Sequence, residues 1–555
     1  MPNFAKLLSG SRASHYLGII IWITPLLILN NGENSLMPYD EAVYAVRARW
    51  MLESGDWLTP QSWGELVYEK TPGPYWWLAF VYKVFGISEV TSRLPAQIAC
   101  IVSLLVIYEI TVMLLNKRIA YLASSILGVS FLWLQSSRLA NANLMTICIA
   151  FLGLCCLLKA ELNPKYRYYW SFFAGLSFAL GLLIRGQLIF VLLIALVPYL
   201  IWKNQRHRLL CNSMLYVGFI IGLIPTFAWF LLSWLRYGSV VFEQFFGLAF
   251  RIALEQRNGN SFLFYLWNTP IKAFPWAFFS ILGLIIVSKR PVNSNHWILI
   301  VCPLVILTEI SLVSTRLPHY ALMLYPFMAI LAAVAFDWLG EIYNNNLNIR
   351  KFRFIPRNLS YLFGGLGGLI FIAGIVLYTG ILPINFEQNI NIKNYAIIGL
   401  VLGVSWLTLP LIWTVRHRFG KKFLTAKYWI ASWLLSAWLG LAVAGATGLF
   451  SNYNPDIKVF LQQRAIASAL QNNSIHFVVQ QTDALTTGGN EALLLLTFYT
   501  PHWGKRFKQV LEVPTGSYAW VSPEPSVGLS TAYRHLGTFR GWKLIQLVKE
   551  GAGTE

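Results

Sequence analysis

Two short polar stretches stand out in an apolar chain: Tyr39-Asp40-Glu41-Ala42-Val43-Tyr44, and Tyr68-Glu69-Lys70-Thr71-Pro72 downstream. A carboxylate such as Asp40 can take the proton from a hydroxyl attacking an activated group. A lysine beside a membrane, such as Lys70, can hold a lipid phosphate. Each residue also has a plainer reading. An aspartate ahead of a helical run caps free N–H groups and complements the helix dipole, and Glu69 with Lys70 can form an interfacial ion pair.

The elements that must position these groups are set by composition. The chain has 555 residues, 56% hydrophobic and 12% charged, with a mean hydropathy of +0.56. That excludes an ordinary soluble domain and indicates a membrane protein. About 13 apolar runs between Tyr16 and Phe450 are each long enough to cross roughly 30 Å of hydrocarbon as helix. The expected fold is therefore an all-α polytopic membrane protein, residues 1–450, followed by a small α/β soluble domain, residues 451–555, where the composition becomes mixed. Within the latter, Asp456 to Gln471 and Glu491 to Phe498 are predicted helical, and His476-Phe477-Val478-Val479 and Tyr518-Ala519-Trp520-Val521 are predicted strands.

Basic residues fall in alternate loops, including Lys117 and Arg118, Lys203 to Arg208, and Arg416 to Lys422. This pattern places those loops and the N-terminus in the cytoplasm, so residues 32–93, the loop 237–268 and the C-terminal domain are expected outside it. The net charge of +20, from 43 basic and 23 acidic residues, is concentrated in those short loops. Topology and anionic lipid explain it better than nucleic acid does. Asn30-Asn31-Gly32 offers no small-x-small cleavage site, so the first run is expected to remain as a span. The six cysteines are expected to be apolar packing residues without disulfides.

The loop 32–93 is expected to fold onto the membrane surface, with a helix over Glu41 to Glu53 ended by Gly55 and a Trp-rich amphipathic helix over Pro74 to Phe85. Cations on the outer side are few, chiefly Arg138, Arg185, Arg251, Arg257 and Arg316. Topology gains nothing from them, and guanidinium suits phosphate; a snorkelling helix end is the alternative for any single one. Glu109 and Glu309 lie within spans, where structural pairing is expected.

The order and spacing of Asp40 to Ala45, Ser54-Gly55-Asp56-Trp57-Leu58-Thr59-Pro60 and Gly64 to Pro72 resemble the lipid A aminoarabinose transferase and protein O-mannosyltransferase group. So do Gly181 to Gly186, with a basic residue before Gly186, and Arg316-Leu317-Pro318-His319-Tyr320 followed by Pro326. That group belongs to the GT-C membrane glycosyltransferases. The resemblance implies a bacterial inner-membrane or plasma-membrane enzyme that moves a sugar from a polyprenyl-phosphate carrier to a lipid, glycan or protein acceptor outside the cytoplasm. It implies Asp40 as catalytic base, with Glu41 shaping the acceptor site. It implies a substrate and phosphate site drawn from Tyr44, Tyr68, Glu69, Lys70, Arg138, Asn143, Arg251, Arg257, Arg316 and Tyr320, and a divalent metal contacted by Glu69. Two departures weigh on this. Asn143 stands where the group usually carries an acid, and residues 237–268 contain no histidine, which removes partners a metal would need. The alternatives are a non-catalytic lipid or glycan transporter and a degenerate member serving as a binding subunit.

Overall fold

The computed structural model describes residues 11–548 apart from 64, 203–207, 256–259, 290–295, 345–351, 381–390, 451, 480–490 and 524–531. Apolar periodicity becomes a helical bundle: α1 (Arg12–Ile28), α2 (Val43–Ser54), α3 (Gly73–Phe85), α4 (Glu89–Leu114), α5 (Lys117–Gly128), α6 (Phe131–Ser137), α7 (Asn143–Leu162), α8 (Arg167–Arg185), α9 (Ile189–Trp202), α10 (Ser213–Tyr237) and α11 (Val240–Leu254). The chain continues through α12 (Phe264–Lys272), α13 (Trp276–Lys289), α14 (Trp297–Leu312), α15 (Tyr325–Tyr343), α16 (Phe354–Thr379), α17 (Asn391–His417) and α18 (Ala426–Ala446).

By length and composition, seven helices among the described residues can cross a membrane, or up to nine if each bent pair, α5 with α6 and α12 with α13, is one span. That is fewer than the apolar runs predict. The shortfall includes α1, α9 and α14, which have 17, 14 and 16 helical residues, short of the roughly 20 a straight crossing needs. Of the two carboxylates within spans, Glu109 pairs with Arg12 and accepts from Tyr16. Glu309 departs from expectation: among the described residues its buried oxygens have no hydrogen-bond partner.

The loop after α1 is ordered by its own carboxylate. Pro38–Ala42 forms a π-helical turn ahead of α2, so the α-helix begins at Val43 rather than at Glu41. Glu41 folds back to accept the Met37 N–H, and the Ala42 N–H reaches the Met37 carbonyl five residues back. Gly55, at φ +71°, ends α2 in the left-handed conformation. A small hairpin, β1 (Gln61–Ser62) with β2 (Glu65–Leu66), leads to Lys70 and α3. Gly73 lets α3 approach the end of α8 closely, since a Cβ there would sit 2.5 Å from the Leu183 carbonyl oxygen. That approach brings the segment after Lys70 against the helix end that carries Arg185.

The C-terminal domain contains α19 (Pro455–Leu461), α20 (Arg464–Asn472) and α21 (Glu491–Tyr499), with a sheet ordered β4 (Trp503–Phe507), β3 (Ile475–Val478), β5 (Tyr518–Val521), β7 (Trp542–Leu547), β6 (Tyr533–Phe539). Strands β4, β3 and β5 run parallel, and β7 and β6 continue antiparallel. The helix expected over Asp456 to Gln471 is divided in two, with Gln463, at φ −60° and ψ 130°, leaving the helical conformation between them. This domain, the opening loop and the segment around α11 meet at one end of the bundle: Arg236 pairs with Asp56 at 2.8 Å, and Arg506 pairs with Glu65 at 3.1 Å.

Candidate functional site

Asp40, Tyr44 and Arg47 follow one another at spacings of four and three, which brings them toward one side of the turn and helix that carry them. Asp40 is half-buried. It caps neither the π-helical turn nor α2, and among the described residues no hydrogen bond or ion pair engages its carboxylate. Tyr44 is buried, and the Lys70 Nζ lies 4.6 Å from the centre of its ring. Arg47 is buried, donates to the Tyr75 hydroxyl at 2.9 Å and faces Glu69 at 3.7 Å. Glu69 also faces Arg251, at 3.9 Å. Among the described residues its ion-pair partners are thus two arginines, not Lys70.

The electrostatics of this cluster favour an anion. Burial pushes the Lys70 ammonium below the usual lysine range; Tyr75 and Glu69 oppose the shift, and the cations Arg47 and Arg185 reinforce it. Burial raises the Tyr44 hydroxyl, with Arg185 lowering it and Asp40 raising it, so both charges act at this ring. Lys70, Arg47, Arg185 and Arg251 outnumber Glu69, Asp40 and Glu243, leaving positive charge for a ligand to neutralise. Beside them opens a cavity of about 400 Å³ lined by Leu66, Val67, Glu69, Glu243, Gln244 and Arg251.

Other predicted residues serve the frame. Glu41 is fully buried and accepts from Arg93 through Nε at 2.8 Å and a terminal nitrogen at 3.0 Å, and from the Ala140 N–H at 2.8 Å. Arg93 in turn donates to the Asn31, Asn34 and Ser35 carbonyls. This pair pins the loop to the bundle. Replacing Arg93 with Met should cost about 3–5 kcal/mol, because it strands a buried carboxylate, and thermal or denaturant unfolding in detergent would register the loss.

Arg138 is fully buried and donates to the Leu26 and Leu29 carbonyls at the end of α1, so its hydrogen bonds brace that helix end. Asn143 opens α7; its buried Oδ1 has no hydrogen-bond partner among the described residues. Tyr68 is buried against Trp229 and Tyr237, and its N–H donates to Gln244 at 2.7 Å. Arg316 donates to the Ser311 and Asn260 carbonyls, shaping the approach to the 3-10 segment Pro318–Leu324, where Tyr320 lies against His319. Arg257 lies outside the described residues.

The residues around Glu69 do not fit a metal centre. Its carboxylate faces two guanidiniums, and no group of three or more His, Cys, Asp or Glu side chains able to hold a metal occurs among the described residues.

This fold can be matched along its whole length. The crystal structure of ArnT from Cupriavidus metallidurans bound to undecaprenyl phosphate is similar with a TM-score of 0.73, at 19% identity, over 98% of each chain. The chain shares the fold of this ArnT and resembles the aminoarabinose transferases. The apo structure of the same ArnT matches with a TM-score of 0.70 at 18% identity. In sequence, the family described as dolichyl-phosphate-mannose-protein mannosyltransferase matches residues 69–234. An undecaprenyl phosphate-alpha-4-amino-4-deoxy-L-arabinose arabinosyl transferase of Pseudomonas fluorescens is 24% identical over 82% of this chain and 77% of its own. An uncharacterized protein of Aquifex aeolicus is 27% identical over 62% of this chain and 66% of its own.

Within this scaffold, sequence pattern alone does not mark Arg47, Tyr75, Arg93 and Gln244. Arg47 carried a usable signal, since it follows Tyr44 by three on a predicted helix. Arg185 stood out as a scarce outer cation, but only the packing of Gly73 on α8 shows which cluster it joins. Tyr75 and Gln244 act through contacts that no local pattern encodes.

Proposed function

We propose that the protein is a glycosyltransferase that moves a sugar from a polyprenyl-phosphate carrier to a lipid, glycan or protein acceptor at the extracytoplasmic face of a bacterial inner membrane. The observation that carries this reading is the cationic cluster of Lys70, Arg47 and Arg185 around Tyr44, with the unengaged Asp40 beside it. The basic loops support the orientation. The polyprenyl-phosphate substrate in the Pseudomonas relative's name and the undecaprenyl phosphate bound in the ArnT structure support the donor class.

In this mechanism Lys70, with Arg47 and Arg185, holds the phosphate and offsets the charge that grows on it as it leaves. The acceptor oxygen forms its bond to the anomeric carbon while the bond from that carbon to the phosphate oxygen breaks. The electron pair stays on the phosphate, and the acceptor proton passes to Asp40. A single displacement of this kind inverts the anomeric centre.

The test is binding of undecaprenyl phosphate to the purified protein in nanodiscs. Saturable binding that weakens with salt is expected; no binding would remove the donor assignment. The pH dependence has a definite sign. Lys70 binds phosphate as the ammonium, and its pKa lies below the usual lysine range, so affinity holds below that pKa and is lost as pH rises through it. Lys70→Arg, whose guanidinium keeps its charge, should abolish the alkaline loss in a titration of Kd against pH.

A further inference from the structure

The segment that carries Asp40, Tyr44 and Arg47 is tied at both ends to the last turn of a single helix in the C-terminal domain. At its front, the Leu36 N–H donates to the Tyr499 hydroxyl at 3.1 Å, and that hydroxyl donates to Glu89. At its back, Arg49 is buried, with 3% of its surface exposed. Its guanidinium donates to the Phe498 carbonyl at 3.1 Å and the Thr500 carbonyl at 2.8 Å, with further bonds to Thr497 and Pro501.

These bonds fall on the carbonyl end of α21, where the last turn of a helix lacks partners within the helix. A cation there also complements the helix dipole. The Arg49 guanidinium lies 4.0 Å from the centre of the Trp503 ring, which fixes its plane, and Glu53 of the same helix accepts from its Nε at 2.6 Å. Arg47 and Arg49 are two residues apart on α2, which places them about 200° apart around the helix axis. One reaches the phosphate cluster and the other reaches the C-terminal domain, so α2 is a rigid connection between the two.

We infer that Arg49 is a positioning residue through which the C-terminal domain fixes the geometry of the Tyr44, Arg47 and Lys70 cluster. The role assigned to that cluster rests on the function proposed above. The mechanical link does not.

The experiment is hydrogen exchange by mass spectrometry on the full-length protein in nanodiscs, comparing the parent with Arg49→Met and Arg49→Lys. Arg49→Met leaves several buried carbonyls without their donor. It is expected to speed exchange about tenfold both at residues 497–501 and across the site segment 39–47. Arg49→Lys, which keeps the charge at the helix end but loses the planar fork, should fall between the two and remains informative if the Met variant does not fold. Undecaprenyl phosphate affinity should fall about tenfold in Arg49→Met, and the losses of Arg49→Met and Arg47→Met should combine to less than their sum, because part of the Arg49 effect is exerted through Arg47. Faster exchange confined to the C-terminal domain, or independent additive losses in the double variant, would overturn the inference. Exchange that spreads into 39–47 in a protein that binds no polyprenyl phosphate would keep the link and remove the proposed donor.

Discussion

Replacing Asp40 with Asn should lower sugar transfer by about 10²- to 10⁴-fold, the usual contribution of a positioned general base, while leaving the protein folded and able to bind its donor. The structural basis is that Asp40 holds nothing in place. It is half-buried, forms no cap, and among the described residues has no hydrogen bond or ion pair to lose. Asparagine matches its shape but cannot accept the acceptor's proton at neutral pH. Removing a negative charge beside the cations should leave phosphate affinity unchanged or slightly tighter. Transfer assayed in isolated membranes, with donor binding measured alongside, separates the two effects; weaker donor binding with normal turnover would assign Asp40 to the wrong step.

Lys70→Met should weaken undecaprenyl phosphate binding by about 2–5 kcal/mol, at least roughly 30-fold, the range found when one partner of a close, partly desolvated charge pair is removed. The remaining cations do not compensate. Arg47 is fixed by Tyr75 and Glu69, and Arg251 is half exposed and already faces Glu69. Because Glu69 pairs with arginines and not with Lys70, the substitution strands no carboxylate, so stability should change little. Lys70→Arg should retain part of the affinity through its charge while losing the fit of a compact ammonium. Unchanged affinity in Lys70→Met would shift the phosphate contact to Arg185.

Much of the scaffold was legible because its periodicities are strong. The helix ended by Gly55, the Trp-rich helix before Gly86, and strands over His476 to Val479 and Tyr518 to Val521 follow from local pattern and are present within a residue or two. The π-helical turn was not legible, since it depends on Glu41 reaching Arg93 fifty-two residues later. Strands β6 and β7 were missed because their polar residues sit on a partly exposed sheet face and weaken the alternation.

In the site, residue type alone pointed to Asp40 and Lys70, whose chemistry stands out in an apolar chain. It could not separate Arg138, braced against carbonyls at the end of α1, from Arg185, which acts on Lys70. Both are arginines at helix ends facing the same end of the bundle. Only their partners distinguish a helix-end brace from a member of the cationic cluster, and those partners come from distant parts of the chain.

In the proposed reaction a sugar leaves a polyprenyl phosphate and appears on an acceptor through Asp40 and the cationic cluster. The decisive experiment is mass spectrometry of envelope lipids and glycans from cells carrying the parent chain, no chain, or Asp40→Asn. The expected result is a sugar-modified species present only with the parent chain, with its polyprenyl-phosphate donor accumulating in the other two. The same modified species at the same level with Asp40→Asn, or no difference among the three, would contradict it.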